Sequence, residues 1–195
     1  IGHELSGVVE ETGKNVKGYA KGERVTVAAV VSCGACYYCK KNMQNLCENF
    51  TAIGYEHPGG FAEFIAVPAT MLADGSVNKF PESLSFERAA LAEPFACAIN
   101  GQELSRVGKG DTVVIVGAGP IGCMHIGIAK SRGAGKVIQA ELSAERLEMA
   151  KKFGADMYVN PADEDLVKVV KEATGGHGAD VVIVAAPSAK AQEQA

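Results

Sequence analysis

Cys33, Cys36, Cys39 and Cys47 lie within fifteen residues, in the stretch SCGACYYCKKNMQNLC. Thiolates are soft metal ligands and redox-active nucleophiles, so four at C-x2-C-x2-C-x7-C spacing either bind something or pair with one another. A disulfide framework is the least favoured use. Adjacent C-x2-C thiols are poor partners across such short loops, and the second half of the chain reads as a large core that needs no bridges. An iron–sulfur cluster is closer, because the bacterial ferredoxin run also begins C-x2-C-x2-C. That run closes with C-x3-C-P, whereas here seven residues separate Cys39 from Cys47 and Glu48 follows. A tetrahedral four-thiolate zinc site suits the longer return best. Four protein ligands leave no position for substrate, so such a site is structural and the chemistry is expected elsewhere.

The second chemical pattern is the turn VVIVGAGPIG, with Gly117, Gly119 and Gly122 in G-x-G-x-x-G spacing. Glycines at this spacing are a weak signal alone. Here an apolar strand runs into the turn, a helix runs out through Pro120 and Ile121, and the next strand ends at Glu141, 19 positions beyond Gly122. That context predicts a dinucleotide site. Gly117 makes the tight turn, Gly119 admits a pyrophosphate to the backbone, and Gly122 lets the helix close on the strand, with its N-terminal amides facing negative charge. Glu141 is placed to accept hydrogen bonds from the adenosine ribose. Its charge opposes a 2′-phosphate, which favours NAD over NADP. Arg146, one helical turn on, is in position to reach the same ribose.

Two textures meet near residue 100 and must position these groups. In the first half, LSGVVEETG, GERVTVAAVV and GGFAEFIAVPA are short Val-, Ile-, Phe- and Thr-rich runs between Gly-containing turns. They predict a small β-barrel or sandwich with the cysteines as an excursion. A helical stretch from about Ser85 leads into alternating strands and helices: DTVVIVGAG, KVIQAE, DMYVN and ADVVIVAA, separated by amphipathic segments. The first of those helices carries Ile121, Met124, His125, Ile128 and Ala129 on one stripe. SAERLEMAKKFG follows with Ser143 as N-cap and Gly154 at its end. Leu166, Val169, Val170 and Ala173 mark another apolar face. This alternation predicts a parallel sheet covered on both faces, about two strands short of a full dinucleotide fold. The boundaries read as residues 1–99, with the cysteine lobe at about 32–48, and 100–195.

Together and in this order, the motifs resemble the zinc-dependent medium-chain alcohol and polyol dehydrogenases, in their sorbitol- and threonine-dehydrogenase-like branch. The matching segments are GHELSGVVEETGKNVKGYAKGERV, the cysteine lobe, GGFAEFIAVPA, AEPFACAINGQEL and the glycine turn through KKFGAD. The resemblance implies an α/β protein: a partial GroES-like catalytic barrel with a structural zinc lobe, followed by a partial Rossmann domain. It also implies that His3 of GHE binds a catalytic zinc, that Glu4 is an alternate or nearby ligand, and that Glu93 of the E-P segment is a further ligand. Another reading of Glu93 is an N-terminal charge on a helix starting at Pro94. The family draws a Cys ligand and a Ser or Thr proton relay from upstream of GHE. The chain opens two residues before His3, so the expectation is an internal fragment without the full catalytic site. The implied reaction is hydride transfer from a polyol, sugar or secondary alcohol to NAD, in a cytoplasmic homodimer or homotetramer. The alternative is a zinc-stabilised, NAD-binding protein without turnover.

Cationic and acidic residues number 19 and 23, leaving a formal charge of -4 with no block of one sign. This points away from nucleic acid or anionic lipid as partner. No apolar run has the length of a membrane span, and no signal peptide opens the chain. Cys97 reads as a small buried residue and Cys123 as an ordinary helix residue. His125 reads as a hydrogen-bonded core histidine, and His57 and His177 as loop residues.

Overall fold

A computed structural model describes residues 1–195 apart from the side chain of Gln194, and the chain divides into two units, Ile1–Pro94 and Phe95–Ala195. In the first unit, β1 (Leu5–Val8) pairs antiparallel with β2 (Arg24–Val27), Leu5 opposite Val27. Valine at alternate positions gives β2 one buried face, Val25 and Val27, and leaves Arg24 and Thr26 partly exposed. β3 (Val30–Val31) and β4 (Thr51–Ala52) form a short antiparallel ribbon that closes the base of the cysteine lobe. After α1 (Ala69–Ala73), β5 (Val77–Lys79) pairs with the second edge of β2. Val25, Val27, Val31, Ile53, Met71 and Val77 form the core of this partial barrel.

The run GGFAEFIAVPA, expected as a strand, has no ladder partner among the described residues. Ile65 and Val67 pack on the core, but Phe61 and Phe64 are exposed. Alternation marks which side chains turn inward; a strand also needs a neighbouring backbone to receive its hydrogen bonds. β5 is the converse. Its sequence VNK carries no readable pattern, and it pairs because β2 offers an edge.

The helical stretch from Ser85 is two helices, α2 (Phe86–Ala90) and α3 (Ala92–Leu104), not one. Pro94 explains the break: it lacks an N–H, and its ring would strike the carbonyl of Ala90 in a continuous helix. The chain restarts at Ala92, not Pro94, with Glu93 and Pro94 in the first turn. α2 begins at Ser85, whose hydroxyl accepts the Arg88 N–H at 3.4 Å, and Ser6 Oγ donates to the Phe86 carbonyl at 2.7 Å across to β1. The Arg24 guanidinium lies 4.6 Å from the Phe80 ring centre and 4.4 Å from that of Phe86, and donates to the carbonyls of Glu82 at 2.8 Å and Leu84 at 2.7 Å. A lysine cannot reproduce this planar fork. Arg24→Lys is expected to lower the unfolding free energy by about 2 kcal/mol, the sum of lost carbonyl bonds and ring stacking. A urea midpoint equal to the wild type's would show that the loop is held otherwise.

In the second unit, β6 (Thr112–Val116), α4 (Pro120–Ser131), β7 (Lys136–Ala140), α5 (Ala144–Ala150), β8 (Met157–Val159), α6 (Leu166–Ala173), β9 (Val181–Val184) and α7 (Ala189–Gln194) follow in order. The four strands are all parallel, in the spatial order β8-β7-β6-β9. β6 and β7 are mostly apolar because both their faces are covered, with Gln139 of β7 a buried polar exception. Val113, Ile115 and Val137 pack with Ile126 and Ala129 of α4, while Val114, Ile138 and Val159 pack with Val170 of α6. Ser143, Asp165 and Ser188 cap α5, α6 and α7 with side-chain acceptors. No described helix is long and apolar enough to cross a membrane.

The buried side of α4 differs from the expected stripe. His125, Ile128 and Ala129 are buried, but Cys123 and Ile126 replace Ile121 and Met124, which are half-buried. The helix is covered on more than one side: Ile126 faces the sheet, while Cys123 packs with Ala118 and Ala150. Cys97 is exposed, contrary to expectation, because the buried stripe of α3 runs through Ala98 and Gln102. His125 is the satisfied core histidine expected. Gln102 Nε2 lies 3.1 Å from its Nδ1 and 2.8 Å from its carbonyl oxygen, and burial depresses its pKa.

Candidate functional site

The lobe between β3 and β4 is made of turns, and these bring its four thiols together. The four Sγ atoms of Cys33, Cys36, Cys39 and Cys47 lie within 4.8 Å of one another, with Cys33 and Cys39 at 4.0 Å. Zinc–sulfur bonds of about 2.3 Å in a tetrahedron place sulfurs about 3.8 Å apart, so the cluster fits such an ion. Backbone amides support thiolates here: the Cys33 N–H points at Cys47 Sγ at 3.3 Å and the Cys36 N–H at Cys33 Sγ at 3.4 Å. Amides of Ala35 and Cys36 lower the Cys33 pKa to about 6, while burial raises Cys39 to about 12. Crowded thiolates repel, and a divalent cation at their centre relieves that repulsion.

A second cluster forms from distant parts of the first unit. His3, Glu4 and Glu93 each offer a ligand atom, and these atoms also lie within 4.8 Å of one another. His3 precedes β1, whose hydroxyl-bearing Ser6 grips α2, and the next helix carries Glu93 in its first turn. The segment before His3 is pinned from the other side. Gly60 N–H donates to the Gly2 carbonyl at 2.8 Å and Phe61 N–H to that of Ile1 at 3.2 Å. A Cβ on Gly59 would sit 2.2 Å from the Ile1 carbonyl oxygen, so only glycine permits this approach. The exposed ring of Tyr55 stands 5.7 Å from the His3 ring. No period or spacing in the sequence marks either Gly59 or Tyr55 as part of such a cluster. One imidazole and two carboxylates make a nitrogen–oxygen donor set suited to zinc. His57 is engaged elsewhere, with Thr51 Oγ1 2.9 Å from its Nε2.

The glycine turn lies at the carboxyl end of β6, where β7 and β9 flank it on opposite sides. This is the switch point at which ligands bind in open parallel sheets. Gly117 has φ +106°, and a Cβ there would lie 2.7 Å from the carbonyl oxygen of Ala185, just beyond β9. A Cβ on Gly122 would lie 1.8 Å from the Gly117 carbonyl oxygen, so α4 meets the strand only through glycine. A Cβ on Gly119 would meet nothing within 4 Å. That open side, at the N-terminus of α4 with Pro120 in its first turn, fits a phosphate group.

Glu141 closes the turn. Its Oε2 accepts the Ala118 N–H and its Oε1 the Ser143 N–H, each at 2.9 Å. Desolvation is the largest single influence on its carboxyl and acts upward. The amides of Ser143 and Ala118, the Arg146 charge and the Leu142 amide outweigh it and hold the pKa below its ordinary 4.5. A carboxyl depressed in the folded state stabilises the protein above its unfolded pKa, and that stability is lost as pH falls through the folded value. The thermal midpoint is therefore expected to fall progressively below about pH 4.5. Glu141→Gln, which cannot titrate, should flatten this acid limb; an unchanged limb would assign it to other carboxylates.

Comparison with known proteins agrees with this arrangement. Residues 1–77 match the alcohol dehydrogenase GroES-like domain and residues 120–195 the zinc-binding dehydrogenase family. The chain is 41% identical over 194 residues to L-threonine 3-dehydrogenase of Pyrococcus abyssi, covering 100% of this chain and 54% of that protein. It is 40% identical over 185 residues to D-arabitol-phosphate dehydrogenase of Enterococcus avium, covering 93% of this chain and 51% of that protein. The structure of alcohol dehydrogenase TADH from Thermus sp. ATN1 superposes with a TM-score of 0.90 at 33% identity, over 99% of this chain and 56% of that one. The chain thus spans about half the length of the curated relatives it matches. With matched segments from both halves in the same order, and the fold shared throughout, the chain belongs to the zinc-dependent medium-chain alcohol dehydrogenase family.

Proposed function

We propose that this chain carries the metal- and nicotinamide-binding parts of an NAD-dependent dehydrogenase acting on alcohols of the polyol, sugar or amino-acid-alcohol class. The observation that carries the reading is the convergence of His3, Glu4 and Glu93 within 4.8 Å. His3 and Glu93 hold the catalytic zinc and Glu4 serves as alternate ligand, while Cys33, Cys36, Cys39 and Cys47 hold the structural one. When bound, the catalytic zinc supplies Lewis acidity towards an alcohol oxygen. Tyr55 stands beside His3 and supports its ring orientation. Gly117, Gly119, Pro120, Ile121 and Gly122 receive the pyrophosphate, and Glu141 with Arg146 the adenosine ribose. Threonine and arabitol phosphate, named for two relatives, support a substrate with several polar groups. In this reading residues 1–99 are the catalytic part and 100–195 the nicotinamide-binding part of a cytoplasmic homodimer or homotetramer.

The test combines metal analysis with turnover. The intact zinc-loaded protein, with the upstream Cys ligand and Ser or Thr relay that the resemblance implies, is expected to hold two ions per chain, one for each cluster, and to reduce NAD with a member of a polyol, secondary-alcohol and threonine panel. His3→Ala should remove one ion and lower turnover by more than about a hundredfold, beyond the loss typical of residues that only support a ligand. One ion per chain and no turnover across the panel would favour a non-catalytic nicotinamide-binding protein.

A further inference from the structure

Gln139 is a fully buried carboxamide in the middle of an apolar sheet. On β7 it shares a face with Val137, the face that packs with Val113, Ile115 and Ile126. Its Nε2 donates to the carbonyl of Ile115 at 3.1 Å and of Gly117 at 2.7 Å, while its Oε1 has no partner among the described residues. An orphaned buried acceptor is unfavourable, so as packing Gln139 is inferior to a leucine or methionine. What it contributes instead is a hydrogen bond to the glycine turn.

The peptide joining Gly117 to Ala118 is held at both ends from one strand terminus. Its carbonyl receives the Gln139 amide at 2.7 Å, and its N–H is given to Glu141 Oε2 at 2.9 Å. The Gly117 N–H, on the preceding peptide, donates to the Ala140 carbonyl at 2.8 Å. Residues 139 and 141 stand two apart on an extended chain, so both side chains reach the same side. The clasp sits where the backbone is least constrained, since Gly117 takes φ +106° and Gly119 has open space where a side chain would be. Glycine turns have no side chains to lock them, and an unlocked turn must be ordered by its ligand at a loss of affinity.

We propose that Gln139 is a positioning residue for the dinucleotide turn. By fixing the plane of the Gly117–Ala118 peptide, it holds the turn in the conformation that receives a pyrophosphate before the ligand arrives. The inference rests on the dinucleotide reading above and deepens it, assigning part of the pyrophosphate affinity to a side chain that touches no ligand.

The test measures dissociation constants for NAD, ADP and adenosine by calorimetry, with competition for the weaker ligands, in the wild type, Gln139→Leu and Gln139→Met. Methionine matches the length of glutamine and covers the case in which leucine packs poorly. The expected result is NAD and ADP binding weakened about tenfold, equivalent to roughly 1.4 kcal/mol, with adenosine unchanged. Unfolding midpoints should stay close to the wild type's, because a loss of bonds to the turn is offset by removal of the orphaned acceptor. Unchanged NAD and ADP affinities would overturn the proposal. So would an equal weakening of all three ligands together with a fall in midpoint, or failure of both variants to fold, since either marks a purely structural residue. A wild type that binds neither NAD nor ADP would instead remove the dinucleotide reading, and this inference with it.

Discussion

Gly122→Ala is expected to destabilise the protein by about 3 kcal/mol or more, at the upper end of overpacking substitutions, and to abolish dinucleotide binding. The added Cβ falls 1.8 Å from the Gly117 carbonyl oxygen, a backbone atom. That oxygen is already fixed by Gln139 Nε2 at 2.7 Å, and the Gly117 N–H by the Ala140 carbonyl at 2.8 Å. Neither strand nor turn can yield alone, so α4 must move away from β6 and take Ile126 and Ala129 out of the core they share with Val113 and Ile115. Two neighbouring substitutions separate the helix's tolerance from the site's. Gly119 has φ −71° and open space around its Cβ position, so Gly119→Ala should leave stability within about 0.5 kcal/mol of the wild type yet weaken NAD binding. Gly127 lies exposed inside α4 with nothing within 4 Å of its Cβ position, and Gly127→Ala should stabilise by about 0.5–1 kcal/mol. Urea unfolding of the three variants checks the order. A Gly122→Ala protein as stable as the wild type would mean the strand–helix contact is looser than its geometry.

Cys47→Ser should be the second large loss, by removing one zinc per chain and melting the lobe around it. Residues 33–48 contain two short 3₁₀ turns and no longer helix or strand, and Tyr37, Met43 and Leu46 are exposed. With so little apolar burial, metal–thiolate bonds must supply the ordering free energy. Structural zinc contributes about 10–16 kcal/mol to small metal-dependent folds, and a missing thiolate forfeits several of these. Cys47 also accepts the Cys33 N–H at 3.3 Å, so its loss frees the start of the lobe as well. Emission spectroscopy for zinc, thiol titration of the remaining cysteines and a thermal scan provide the measurements. Cys97 is exposed and outside the lobe, so its reaction in the wild type calibrates the titration. Undiminished zinc content and protected thiols in the variant would rule out a four-sulfur site. Cys123→Ala, which deletes a buried thiol outside the lobe, should leave zinc content unchanged.

What could be read from the chain alone was what is local. Four thiols within fifteen residues cannot stray far from one another, and the lobe brings them together as their spacing implied. Strand, glycine turn and helix are consecutive, so β6, α4 and the place of Glu141 followed from periodicity and the turn's steric demands. Ser143 capped its helix as its residue type and position predict.

The second cluster is different. His3 and Glu93 are 90 positions apart, and only their resemblance to family motifs marked them beforehand. Their meeting depends on Ser6 gripping α2, on Arg24 clasped between Phe80 and Phe86, and on Gly59 admitting the backbone of Ile1. None of those contacts has a period or a spacing that a single sequence displays. The unpaired GGFAEF run, the exposed Cys97 and the buried Gln139 are of the same kind. Local pattern determines which side chains share a face and how a chain turns, because bond geometry acts over a few residues. Which faces then meet, and which backbone groups find partners, was decided by packing of the folded chain, where the contacts are long in sequence and specific in shape.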